Sequence, residues 1–100
     1  MKEKDLQKSI KDYLELKGYL VIKAPTAGIY KHDTGRYIPL GRKGISDLIA
    51  LKKGIFYAIE IKVPGNTPTL EQQEFLQEVE QKGGVALLAY SIDDVIRTCP

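Results

Sequence analysis

Apolar positions recur along this chain at two periods. From Glu3 to Lys17, Leu6, Ile10, Tyr13 and Leu14 share one helical stripe that Leu16 could extend, and Gly18 stands where a helix stops. Tyr19 to Ala24 changes to strand character and Pro25 ends it. Leu48–Leu51 and Ile55–Ile61 are two more apolar runs, split by Lys53-Gly54. Helical spacing returns over 70–82, where Phe75, Leu76 and Val79 form the stripe and Gly83-Gly84 closes it. Val85 to Tyr90 is nearly continuously apolar, as expected of a strand buried on both faces. Ser91-x-x-Asp94 then caps a short helix through Arg97. The order is α-β-(loop)-β-β-α-β-α. A three-strand meander with a helical crossover to a fourth strand gives a mixed, four-stranded α/β sheet flanked by helices.

Lys53-Gly54 suits a two-residue hairpin loop. That loop sets Lys52 opposite Ile55, Leu51 opposite Phe56, Ile49 opposite Ala58 and Asp47 opposite Glu60. Opposed residues share a face with Cβ atoms about 5 Å apart. Period-2 alternation puts Lys62 on the face of Glu60 and turns Ile59 and Ile61 to the other. Two carboxylates and an ammonium therefore converge at one end of a greasy hairpin. Adjacent carboxylates repel unless something positive lies between them. A divalent cation, Mg²⁺ or Mn²⁺, is one answer for hard oxygen ligands. A plain Glu60–Lys62 ion pair is the other.

Glu3 stands at the N-terminal end of the first stripe, where it either complements the helix dipole or faces the acids of the sheet. Gln72 lies on the inward side of the second helix. Thr69-x-x-Gln72 fits a capping box, and an amide near the carboxylates is the alternative.

The 100 residues predict one domain, 1–100, with a modest core. The single Cys99 rules out a disulfide framework or a thiolate metal site within the chain and fits a reducing, cytoplasmic setting. No apolar run is long enough to span a bilayer, and the charged start Met1-Lys2-Glu3-Lys4-Asp5 has no signal-peptide core behind it. The net charge of +2 hides an asymmetry: residues 1–62 carry a net +6 and residues 63–100 a net −4. A polyanion on one side is implied. Residues 25–43 read as the longest irregular stretch, with a turn at Asp33-Thr34-Gly35 and breaks at Pro39 and Gly41. Lys31, Arg36, Arg42 and Lys43 lie there with Tyr30 and Tyr37, a set suited to phosphates and to stacking on bases. His32 is the one histidine and reads as a surface side chain. Gly41-Arg42-Lys43-Gly44 is no P-loop, because no Lys-Ser/Thr follows.

Gly44-x-x-Asp47, Glu60-x-Lys62 after twelve intervening residues, and Glu71-Gln72 opening a helix resemble the PD-(D/E)xK nuclease superfamily. More narrowly the chain resembles its VRR-NUC (virus-type replication-repair nuclease) family in stand-alone form, including Glu3-x-x-x-Gln7 and Gly83-Gly84-Val85. Ser46 departs from the pattern, standing where the superfamily has proline. The resemblance implies a restriction-endonuclease-like core in which Asp47, Glu60 and the Ile61 carbonyl ligate Mg²⁺ or Mn²⁺. It further implies that Lys62 orients or deprotonates the attacking water, that Glu3 serves water or a second ion, and that Gln72 lies close to Lys62. The implied protein is a DNA endonuclease of replication, repair or recombination. It would act on branched, junction-like or duplex DNA as a homodimer, in a bacterial or phage-infected cell. Structure rather than sequence would be read, because no base-reading helix is visible. A flap or single-strand-specific nuclease, or a non-catalytic DNA-binding module of the same fold, are the alternatives.

Overall fold

Helix α1 covers Glu3–Leu16, and the core explains its length. Leu6, Ile10 and Leu14 are buried, Tyr13 is half-buried, and the stripe ends there. Leu16 is 87% exposed and lies outside the stripe, because it is turned away from the residues the core selects. The last turn of α1 has no basic residue of its own. Lys52 supplies the charge from the sheet, its Nζ donating to the Lys17 carbonyl at 2.7 Å and lying 4.7 Å from the Tyr19 ring centre. The structure is a computed structural model that describes residues 2–24, 28–39 and 42–100, with backbone alone at 28–30 and 37–39.

The strands are β1 (Leu20–Lys23), β2 (Gly28–Lys31), β3 (Arg36–Pro39), β4 (Leu48–Lys52), β5 (Ile55–Ile61) and β6 (Val85–Ala89). The main sheet has the order β1-β4-β5-β6, in which β1, β4 and β5 are antiparallel neighbours and β6 joins β5 in parallel. The β4–β5 register is the expected one: Lys52 pairs with Ile55, Leu51 with Phe56, Ile49 with Ala58. Lys53 and Gly54 both have positive φ, 51° and 80°, as the tight two-residue turn requires. Helix α2 (Leu70–Gln81) makes the crossover to β6, and α3 (Ile92–Thr98) follows. Both helices begin with complete capping boxes, Thr69/Gln72 and Ser91/Asp94.

The core lies between the sheet and helices α1 and α3. Ile10, Leu14, Leu48, Ile59, Ile61 and Val95 are fully buried there, each contributing roughly 1.5–3 kcal/mol by removal from water. The Tyr13 hydroxyl donates to the Cys99 carbonyl at 2.9 Å and ties α1 to the end of α3.

Two expectations fail. Residues 25–43 are not an irregular stretch throughout, because β2 and β3 form a separate antiparallel hairpin, Ile29 opposite Ile38 and Lys31 opposite Arg36. Pro39 ends β3 rather than breaking it, since a proline at a strand end withholds no interior ladder bond. Pro25 and Gly41, the two outer breaks, lie outside the described residues. The second failure is β6, which is an edge strand. Only Ala89 is fully buried, and Val85 to Leu88 are half-covered.

Candidate active site

The segment leading to Asp47 is fixed by close packing against the first turn of α2. Gly44 has φ +83°, and a Cβ on it would lie 2.5 Å from the Glu71 carbonyl. No other residue type fits that approach. Arg42 and Lys43 flank it and bind α2 as well, Arg42 to Glu78 at 2.9 Å and Lys43 to Glu71 at 3.2 Å. Arg42 also lies over the Phe75 ring, 5.2 Å from its centre. Ser46 is buried and its hydroxyl donates to the Leu48 carbonyl at 2.9 Å, shaping the bend without proline.

Asp47 sits just before β4, held from two sides. Its carbonyl accepts from Ala24 N–H at 3.0 Å, and its Oδ2 accepts from Ile61 N–H at 2.7 Å. That second bond crosses to β5 beside Glu60, as the register implies. Glu60 is 1% exposed, and neither carboxylate oxygen has a hydrogen-bond partner among the described residues. Lys62 Nζ is 3.7 Å from its Oε2, an ion pair too long for a hydrogen bond. The Lys62 main chain donates to the Ala89 carbonyl at 3.0 Å, so β6 fixes the strand that carries both side chains.

These groups form one electrostatic unit. Burial pushes the Glu60 carboxyl up to about 8. The negative charge of Asp47 raises Glu60 further, Lys62 opposes, and Glu3 adds a smaller push upward. Ion pairing with Lys62 alone thus leaves the buried carboxylate under-compensated. That is the environment a hard cation relieves. Asp47, with Oδ1 beyond its bond to Ile61, and both oxygens of Glu60 suit Mg²⁺ or Mn²⁺ in donor type. Among the described residues no group of three or more His, Cys, Asp or Glu is gathered to hold a metal, so the remaining ligands would be main-chain oxygen and water.

Glu3 comes from the first turn of α1 and is near enough to act on Glu60 through its charge. Gln72 forms the capping box: its Oε1 accepts from Thr69 N–H at 2.8 Å, leaving only its NH₂ to donate elsewhere. Lys31 and Arg36 are exposed cross-strand partners on the β2–β3 hairpin. Tyr30 and Tyr37 pair in backbone register, and their side chains lie outside the described residues. His32 is exposed in the turn between the two strands. The ties of Arg42 and Lys43 to α2 have no local signature, because Glu78 and Glu71 are far along the chain.

A small mixed sheet with a helix on the way to its parallel edge strand, and an Asp, a Glu and a Lys where β4 and β5 meet, define an α/β domain with its polar cluster at one end of the central hairpin. The particular fold is that of the VRR_NUC domain. A solved structure described as "VRR_NUC domain" superposes with TM-score 0.72 at 23% identity, covering 98% of this chain and 97% of that one. No family model and no curated protein matches the sequence.

Proposed function

We propose that this protein is a divalent-metal-dependent DNA endonuclease. The observation that carries the reading is Glu60: a carboxylate fully buried beside Asp47, with neither oxygen hydrogen-bonded among the described residues and a lysine 3.7 Å away. A fold does not retain such a charge for stability, since breaking even or worse is the rule for buried ions. The VRR_NUC fold supports the same conclusion.

Asp47, Glu60 and the Ile61 carbonyl would hold Mg²⁺ or Mn²⁺, with Glu3 acting through water. When bound, the ion supplies positive charge to the phosphoryl oxygens and lowers the pKa of water. Lys62 orients the attacking water and offsets the charge that builds on the phosphorus oxygens. Ile61 N–H fixes the Asp47 carboxylate, so one face of it stays open to the site. Gln72 Oε1 holds the start of α2 by accepting from Thr69 N–H, and its NH₂ would serve as a donor to the site. Lys31 and Arg36 with Tyr30 and Tyr37 contact the DNA from the hairpin. Arg42 and Lys43 do so by exchanging α2 carboxylates for phosphates. Substrate choice is by shape, toward branched or junction-like DNA in replication or repair.

A homodimer belongs to the same reading. Leu20, Ile22, Leu51 and Phe56 expose an apolar face across β1, β4 and β5, with Leu20 60% and Ile22 53% exposed. Covering it with a second copy removes that surface from water. No helix among the described residues is long and apolar enough to cross a membrane.

The test is a panel of four-way junction, flap, duplex and single-stranded DNAs with Mg²⁺ or Mn²⁺, run beside Lys62→Ala. Cleavage by the wild type and none by the variant supports the reading. Wild-type protein that leaves every substrate uncut overturns it.

A further inference from the structure

Beside the site, a concavity of about 190 Å³ opens between the outer face of α1 and the end of β1. Lys4, Gln7, Lys8, Lys11 and Lys23 line it, four ammonium groups and one amide without a carboxylate in the wall. Lys4, Lys8 and Lys11 follow one another at spacings of four and three, a single stripe of the helix. Lys8 pairs with Asp12 at 2.8 Å and Lys11 with Glu15 at 3.1 Å, both within α1. Solvent-exposed pairs of that kind yield readily to a stronger anion. Among the described residues Lys4 and Lys23 form no ion pair, and these two lie at the end nearest the site. Lys4 follows Glu3 directly, and Lys23 precedes Ala24, whose N–H donates to the Asp47 carbonyl.

We propose that this concavity is a track for the sugar–phosphate backbone of a nucleic-acid strand leaving the Asp47/Glu60 site. Two ammonium groups without an ion pair and two held only by exposed carboxylates leave the hollow positive, and an extended anion relieves that where a neutral ligand does not. From Lys4 to Lys11 the stripe runs about 10 Å at 1.5 Å per residue. That is the length of about three nucleotides of stacked strand at 3.4 Å each. A polyanion with regularly spaced charge fits a helical row of lysines ending at a phosphodiester-cleaving centre better than an acidic protein surface does. The inference rests on the nuclease reading and adds to it a side of the molecule. One strand is held by α1 and β1, opposite in origin to the hairpin lysine and arginine. Only folding brings Lys23 to the three lysines of α1.

The experiment measures fluorescence anisotropy of a fluorescein-labelled 20-nucleotide single strand and of the matching duplex, in EDTA, over a salt series. The variant is Lys4→Gln/Lys8→Gln/Lys11→Gln/Lys23→Gln, with Lys53→Asn/Lys82→Gln as a control that removes two charges elsewhere and Lys4→Gln/Lys23→Gln as its charge-matched counterpart in the hollow. Circular dichroism confirms that each folds. Binding by the quadruple variant should weaken at least tenfold at about 100 mM salt, and its dependence of log Kd on log salt should flatten by roughly 2–3. The control should stay within about twofold of the wild type. Arginine at the same four positions should restore binding. An unchanged salt slope, an equal loss in the control, or wild-type protein that binds neither DNA overturns the track. A flattened slope alongside a wild type that cuts nothing with Mn²⁺ supports the track and removes the nuclease reading instead.

Discussion

Replacing Glu60 with glutamine should make the metal-free protein more stable at pH 8 and leave it nearly unchanged at pH 5. The carboxyl is buried, has no hydrogen-bond partner among the described residues and is pushed up to about 8, first by burial and then by Asp47. In the unfolded chain it returns to about 4.3. The folded protein therefore holds its proton where the unfolded chain has already released it. Below the unfolded value both states are neutral and the full stability is present. Between roughly pH 4.3 and 8 stability falls as pH rises, at up to about 1.4 kcal/mol per pH unit. By neutral pH the loss is on the order of 3 kcal/mol, a large share of the stability of a small domain. Glutamine keeps the shape, cannot ionise, and offers an NH₂ to Asp47. Urea unfolding in EDTA, followed by circular dichroism at pH 5, 6, 7 and 8, should show a gain that grows with pH to roughly 4–5 kcal/mol at pH 8. At pH 5 the two proteins should agree within about 1 kcal/mol. Mn²⁺ should raise the Tm of the wild type and leave the glutamine variant much less affected, because binding to the folded state stabilises it. Parallel pH slopes for the two proteins, or a glutamine variant weaker at pH 8, would refute the account of Glu60.

Lys62→Ala should lower cleavage by at least about 10²-fold while anisotropy shows DNA affinity within a few-fold of wild type. Equal losses in both would move Lys62 from chemistry to binding. Gly44→Ala should cost upwards of about 1 kcal/mol in urea unfolding, because φ +83° and the Glu71 carbonyl 2.5 Å from the new Cβ oppose it together. Leu14→Ala should cost about 2–5 kcal/mol and, if the domain stays folded, leave the Mn²⁺-induced rise in Tm intact. Thr69→Ala should cost about 1 kcal/mol by removing half of the α2 capping box, measured by thermal unfolding.

The β4–β5 hairpin was legible because its turn residues and its alternation agree. Lys53-Gly54 sets the register, and the register sets Asp47 beside the strand that carries Glu60. The capping boxes of α2 and α3 were legible for a similar reason, since each needs residues only three apart. The β2–β3 hairpin was hidden by Pro39 and by a polar turn between strands of four residues, too short for alternation to show. The exposure of β6 was hidden too, because a continuous apolar run looks the same at the edge of a sheet as at its centre. Charge partners far along the chain left no trace: nothing near Arg42 or Lys43 announces Glu78 or Glu71.

The β2–β3 hairpin leaves the main sheet after β1 and returns before β4, and those two strands are immediate neighbours, Lys23 facing Leu48. Departure and return points so close together make the excursion exchangeable. A longer, shorter or differently charged finger could be grafted there at only the small entropic expense of closing a loop. Evolution can therefore retune the surface of the finger without disturbing the Asp47–Glu60 end of the sheet.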